Sequence, residues 1–70
     1  MSTKMIGNIK WFKENKGYGY INGYDEEVYY FEIINLETET ENIKTGTKVK
    51  FIPNTQTEIP YADQIELYEE

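Results

Sequence analysis

The chain contains no cysteine, no histidine and no arginine, and only two prolines among its 70 residues. Lack of cysteine excludes a disulfide framework and a thiolate metal cluster, leaves stability to packing, and fits a reducing, cytoplasmic setting. Without histidine or cysteine, only scattered carboxylates, lysines and tyrosines remain for catalysis. No nucleophile and base pair is evident, so no enzyme is expected. Glu26-Glu27 and Glu69-Glu70 read as solvated surface, and the carboxylates lack the spacing of a cation-binding loop, so neither metal nor cofactor is expected. No apolar run approaches the roughly 18 residues of a membrane span, and the start Met-Ser-Thr-Lys-Met-Ile lacks the apolar centre of a secretion signal. The reading is a soluble protein with no membrane partner and no small-molecule substrate. No internal repeat is present, and no 3.6-residue periodicity lasts long enough to require a helix, although Glu32 to Leu36 can form a single turn.

What is present is unevenly placed. Thirteen acidic residues against seven lysines give a net charge of −6, which argues against binding a polyanion if charge were spread evenly. Lys10, Lys13 and Lys16, however, lie close together, whereas Glu37, Glu39, Glu41, Glu58, Glu66, Glu69 and Glu70 fall later. Those three lysines alternate with Trp11, Phe12, Tyr18 and Tyr20. Rings are costly to leave in water and lysines resist burial, so their interleaving points to a wet face that meets something both flat and negative. Single-stranded nucleic acid is both.

A chain this short forms one domain and buries only roughly 60% of the surface its unfolded form exposes. The domain is read as 1–70, with its core over about 5–68. Five segments rich in Ile, Val, Tyr, Phe and Thr are separated by polar breaks, the pattern of a small all-β barrel or sandwich. They run about Met5 to Lys13, Tyr18 to Asn22, Val28 to Glu32, Lys48 to Pro53 and Ala62 to Tyr68. Turns are expected at Lys16-Gly17, at Asn22-Gly23-Tyr24-Asp25, where Asn and Gly accept positive φ, and at Thr45-Gly46-Thr47. Asn35 to Thr45 is polar and glutamate-rich, a surface loop, and Pro53 should end the fourth strand.

Alternation assigns faces. Tyr18 and Tyr20 share one side of the second strand, with Ile21 on the other. In the third strand, the frame that keeps Glu27 out of the core turns Val28 inward and puts Tyr29 and Phe31 beside those tyrosines; a one-residue shift presents Val28 and Tyr30 instead. In the fourth, Val49 and Phe51 are expected inside, and Lys48 and Lys50 outside. Strict alternation in the first strand sends Trp11 the way of Ile9, into the core, unless a bulge intervenes. A single such ring is more often core than ligand platform, but a core this small can scarcely absorb seven of them.

Gly7-Asn8-Ile9-Lys10-Trp11-Phe12, Lys16-Gly17-Tyr18-Gly19-Tyr20-Ile21 and Val28-Tyr29-Tyr30-Phe31, in that order and spacing, resemble a bacterial cold-shock domain. The second block resembles the first ribonucleoprotein motif and the third resembles the second. The likeness continues through Gly46 to Phe51 and Ala62 to Ile65. It implies a five-stranded antiparallel Greek-key barrel of the OB type that binds single-stranded DNA or RNA on an aromatic face, in the role of an RNA chaperone or a cold-shock-type regulator of gene expression. By that resemblance Lys10, Trp11, Lys16, Tyr18 and Tyr20 match ligand-facing positions, and Tyr29 or Tyr30 with Phe31 matches the second motif. The full candidate set adds Phe12, Lys13 and Tyr61. Tyrosines stand at 18 and 20 where the family usually has phenylalanine, its second-motif histidine is missing, and so is the aromatic of the loop after the third strand. The basic residue before the last strand is replaced by acidic surroundings at Glu58, with Tyr61 as a substitute ring. A shorter or weaker footprint is therefore expected. The competing reading is a protein-interaction module that docks a peptide or basic partner on the tyrosine-rich face.

Overall fold

The first β-prone run forms a nine-residue strand, β1 (Met5–Lys13), and four more follow: β2 (Tyr18–Gly23), β3 (Val28–Glu32), β4 (Lys48–Asn54) and β5 (Tyr61–Leu67). These come from a computed structural model that describes residues 3–69; Met1, Ser2 and Glu70, which enter the readings of the chain start and of the Glu69-Glu70 pair, lie outside it. The strands close into a barrel in the order β1-β2-β3-β5-β4. Neighbours are antiparallel except at the β3–β5 seam, where Tyr30 pairs with Tyr61 in parallel. The all-β five-stranded barrel is as expected, and each strand lies within a residue of its predicted bounds.

The breaks work largely as their residues dictate. Gly17 and Gly46 take left-handed conformations, with φ of 79° and 90°. The β2–β3 hairpin differs, because its positive φ falls on Glu26 at 71°, and not on Asn22 or Gly23. A turn closes there by Glu26 N–H donating to Gly23 O at 3.0 Å. Pro53 does not end β4. It pairs with Ala62, one residue before the strand stops. The segment after β3 makes two short 3₁₀ turns, Ile33–Asn35 and Thr40–Asn42, and then sends Ile43 into the interior. This loop therefore contributes to the core despite its glutamates.

Inside are Ile9, Ile21, Tyr29, Phe31, Ile43, Val49, Phe51, Ala62 and Ile65. Val49 and Phe51 point inward and Lys48 outward, as alternation requires, while Lys50 is half-buried beside Glu66. One tyrosine in this interior needs a polar outlet. The Tyr29 hydroxyl donates to Asp25 Oδ2 at 2.6 Å, at the rim where the hairpin folds over the barrel end. Burial, and then this bond, push the Tyr29 phenol up to about 12, while the same bond holds Asp25 below the usual carboxylate range. Lys4 donates to Glu66 and to Gln64 O, and pairs with Glu37, fastening the chain before β1 to β5.

The favoured frame of β3 is overturned. Tyr29 is 2% exposed and Phe31 fully buried, whereas Val28 is 37% exposed. The reason lies in the hairpin: the left-handed residue Glu26 breaks the alternation before β3 begins, so Glu27 leaves the core without turning Val28 into it. Across the ladder Phe31 pairs with Gly19, which makes room for its ring. A Cβ on Gly19 would sit 2.9 Å from Phe31 Cζ and would also collide with the Trp11 carbonyl oxygen.

Candidate nucleic-acid interface

Trp11 reaches the outside through a defect in the ladder. Ile9 pairs with Ile21, but the next partner of β2, Tyr20, pairs with Trp11, so Lys10 is an extra residue. The bulge inverts the strand's phase, leaving Ile9 buried, Lys10 and Trp11 outside, and Phe12 turned back toward the core. Trp11 thereby joins the face on which Tyr18 and Tyr20 lie.

On that face four rings from three adjacent strands touch in series. Trp11 meets Tyr18 edge-on at 5.5 Å between centroids and Tyr20 at 5.1 Å. Tyr30 continues the row, 5.9 Å from Tyr18 and 5.6 Å from Tyr20. Edge and tilted contacts of this kind each add about 0.5 to 1.5 kcal/mol beyond area burial, so the rings hold one another in place without a core around them. All four are half-buried, each with surface left to offer. Tyr61 borders the row through its pairing with Tyr30, and its hydroxyl accepts from Asn54 Nδ2 at 2.9 Å.

The charges are placed around this row. Lys13 Nζ stands 5.7 Å from the Trp11 ring centroid, within cation–π reach. Lys10 is exposed at the bulge, and Lys16 is exposed in the turn whose N–H groups bond back to Lys13 O. At the Tyr30 end the balance reverses: the Tyr30 hydroxyl donates to Glu32 Oε2 at 2.9 Å, and that bond holds the phenol above its ordinary range. The arrangement is a strip of π-faces, cationic at one end and carboxylate-edged at the other.

The family model described as the 'Cold-shock' DNA-binding domain matches residues 5–68. This chain belongs to that family. Its relatives include the cold shock protein CspV of Vibrio cholerae, 37% identical with 93% of this chain and 96% of the relative covered, and the cold shock-like protein CspA of the same organism, 35% identical with the same coverage. Cold-shock domains are nucleic-acid-binding modules, and the five-stranded barrel described above accords with their fold. Among the described residues no helix is long and apolar enough to cross a membrane.

Within this cold-shock domain the expected site residues separate into two groups. Lys10, Trp11, Lys13, Lys16, Tyr18, Tyr20, Tyr30 and Tyr61 lie on or beside the outer strip. Tyr29 and Phe31 do not, being interior, and Phe12 stacks on Phe31 with centroids 5.5 Å apart at the edge of the core. Their sequence positions fit the family motif, but their side chains support the strip from beneath. One residue escaped the sequence reading, Glu32, while Val28 is named there as part of the shifted frame. Val28 is partly exposed next to Asn22, and Glu32 closes the strip beside Tyr30. Glu32 carried a detectable signal, a lone carboxylate two residues after an outward tyrosine, once the frame of β3 is set.

Proposed function

We propose that this chain binds single-stranded DNA or RNA by stacking unpaired bases on Trp11, Tyr18, Tyr20 and Tyr30, while Lys10, Lys13 and Lys16 meet the phosphates. The observation that carries the reading is the continuous row of four outward rings above an interior already filled by Phe31, Phe51 and Tyr29. Nothing in core packing requires those rings to line up outside. Stacking contributes about 1 to 3 kcal/mol per base and tolerates sequence, because every base has a π-face. Such binding keeps strands unpaired, the chemistry of an RNA chaperone or cold-shock-type regulator in the cytoplasm, and needs no second copy of the chain.

A titration of the full chain with short single strands and with the matching duplex tests this directly. Single strands should bind far better than duplex, since paired bases hide their faces. With three lysines involved, the salt slope should be about −2, at roughly 0.7 per phosphate on a single strand. Equal affinity for both forms would refute stacking, and a slope steeper than about −4 would refute the assignment of charge to these lysines.

A further inference from the structure

The strip does not end flush. Beyond Tyr30 a cleft of about 250 Å³ opens between β3, the turn that follows it and the start of β5, lined by Tyr30, Glu32, Ile34, Asn35, Ile59 and Tyr61. Its chemistry is divided. Ile34 is 85% exposed and Ile59 63% exposed, large aliphatic groups that the core does not use, while Glu32 and Asn35 supply polar atoms between them. Size alone does not select this place, because a larger groove of about 1020 Å³ opens around Met5, Ile6 and Tyr24 at the other end of β1 and β2. That groove has no contact with the row of rings, whereas Tyr30 belongs to both the row and the cleft.

We infer that this cleft reads the edge of one base of the stacked strand and prefers guanine, with Glu32 as the residue that sets the preference; the inference rests on the stacking reading above. A flat, apolar-faced group continuing along the rings enters between Ile34 and Ile59 and presents its edge to the carboxylate. The carboxylate is held for that purpose. Tyr30 donates to Oε2, and the Glu32 N–H donates to Asn35 Oδ1 at 2.9 Å. Asn35 is itself anchored, its Nδ2 donating to Asp63 Oδ1 at 3.3 Å. Guanine carries adjacent N1–H and N2–H donors, a pair that a carboxylate accepts together. Its O6 needs a donor, and the Tyr61 hydroxyl, used only as an acceptor by Asn54, keeps its proton for that bond. Thymine and uracil offer a single N–H between two carbonyl oxygens, which the carboxylate repels. Cytosine and adenine offer one amino group beside a ring acceptor and fall between. A phosphate is rejected by the same charge, so the cleft accepts base and not backbone.

The test uses the full chain and labelled seven-nucleotide strands, all thymine or with a single guanine moved through each position in turn, read by fluorescence anisotropy. One position should gain about fivefold in affinity over the all-thymine strand, at the lower end of what a bidentate base contact supplies because the cleft is open to water. Glu32→Gln should reduce that gain to less than twofold, the gain being read as the ratio to the same variant's all-thymine binding. Tyr61→Phe, which leaves the carboxylate in place, should remove a smaller part. No favoured guanine position, or a gain that survives Glu32→Gln, overturns the inference while all-thymine binding still upholds stacking. Failure of the unmodified protein to bind any single strand overturns both. If Glu32→Gln does not fold, a guanine gain untouched by Tyr61→Phe counts against the site.

Discussion

Tyr29 and Tyr30 are chain neighbours with identical side chains, and each donates its hydroxyl to a carboxylate, Asp25 for one and Glu32 for the other. One is sealed in the barrel and packs on Phe51 at 5.1 Å; the other stands in the outer row beside Tyr18 and Tyr20. The difference is entirely one of strand phase. A phenol suits either side of a small sheet, because its ring packs like phenylalanine while its hydroxyl reaches the rim of the core or water equally well. Residue type therefore does not separate framework from binding surface here, whereas pairing partners do: the inner positions of β3 face Gly19 and Ile21 across the ladder, and the outer position faces Tyr20.

The sharpest way to break this contrast is truncation of each ring. Tyr29→Ala should cost about 3 to 5 kcal/mol of folding stability in a urea melt, as removal of a core ring does, enough to unfold much of so small a domain. Tyr30→Ala should cost clearly less, about 1 to 2 kcal/mol in the same melt, for the loss of its contacts with Tyr18 and Tyr20. Equal losses would erase the distinction between inner and outer tyrosine. Next in size is the converse experiment on binding: Tyr30→Ala and Trp11→Ala should each weaken oligothymidine binding by about 1 to 3 kcal/mol with the circular dichroism of the fold retained. Unfolding of Trp11→Ala would place that ring in the framework.

The smallest effect is on pH dependence and separates the two hydroxyl contacts. Because the folded phenol of Tyr29 is raised to about 12 from an ordinary 10.0, its contribution is complete below about pH 10 and is lost as pH climbs toward 12. Asp25 has the opposite sign. Its folded carboxyl is depressed below the ordinary 3.8, so its contribution is present above that value and lost as pH falls through the depressed one. Tyr29→Phe should flatten both limbs of a stability profile at a cost of about 1 kcal/mol near neutrality. If the alkaline limb persists unchanged in Tyr29→Phe, the Tyr29–Asp25 bond is not its source.

Much of this molecule was legible in its residues. Runs of β-branched and aromatic residues between glycine and polar breaks fixed five strands, and the Lys48 to Ile52 alternation correctly sorted Val49 and Phe51 from Lys48. The β3 frame is less legible, because Val28, Tyr29, Tyr30 and Phe31 are all acceptable inside, and Glu27 does not set the phase where Glu26 interrupts the alternation. A better signal was available in Gly19, which sits opposite the inner ring it accommodates. The burial of Ile43 was hidden by the glutamates around it, although an isolated aliphatic in a polar loop is the usual mark of a plug. The cleft at Glu32 depended on tertiary neighbours brought from β5, which no local pattern specifies.

The extra residue at Lys10 has a consequence for how this domain tolerates change in length. Everything before it on β1 addresses the inside with odd-numbered positions, and everything after it does so with even ones, so Ile9 and Phe12 both serve the core while Trp11 is free to face out. Loss of that single residue would remove the bulge and leave both faces as they are, since Trp11 would then follow Ile9 directly, still opposite Tyr20 and facing out, with Phe12 still turned in. Substituting the lysine alters a charge, and deleting it removes that charge together with the bulge while the indole stays outside.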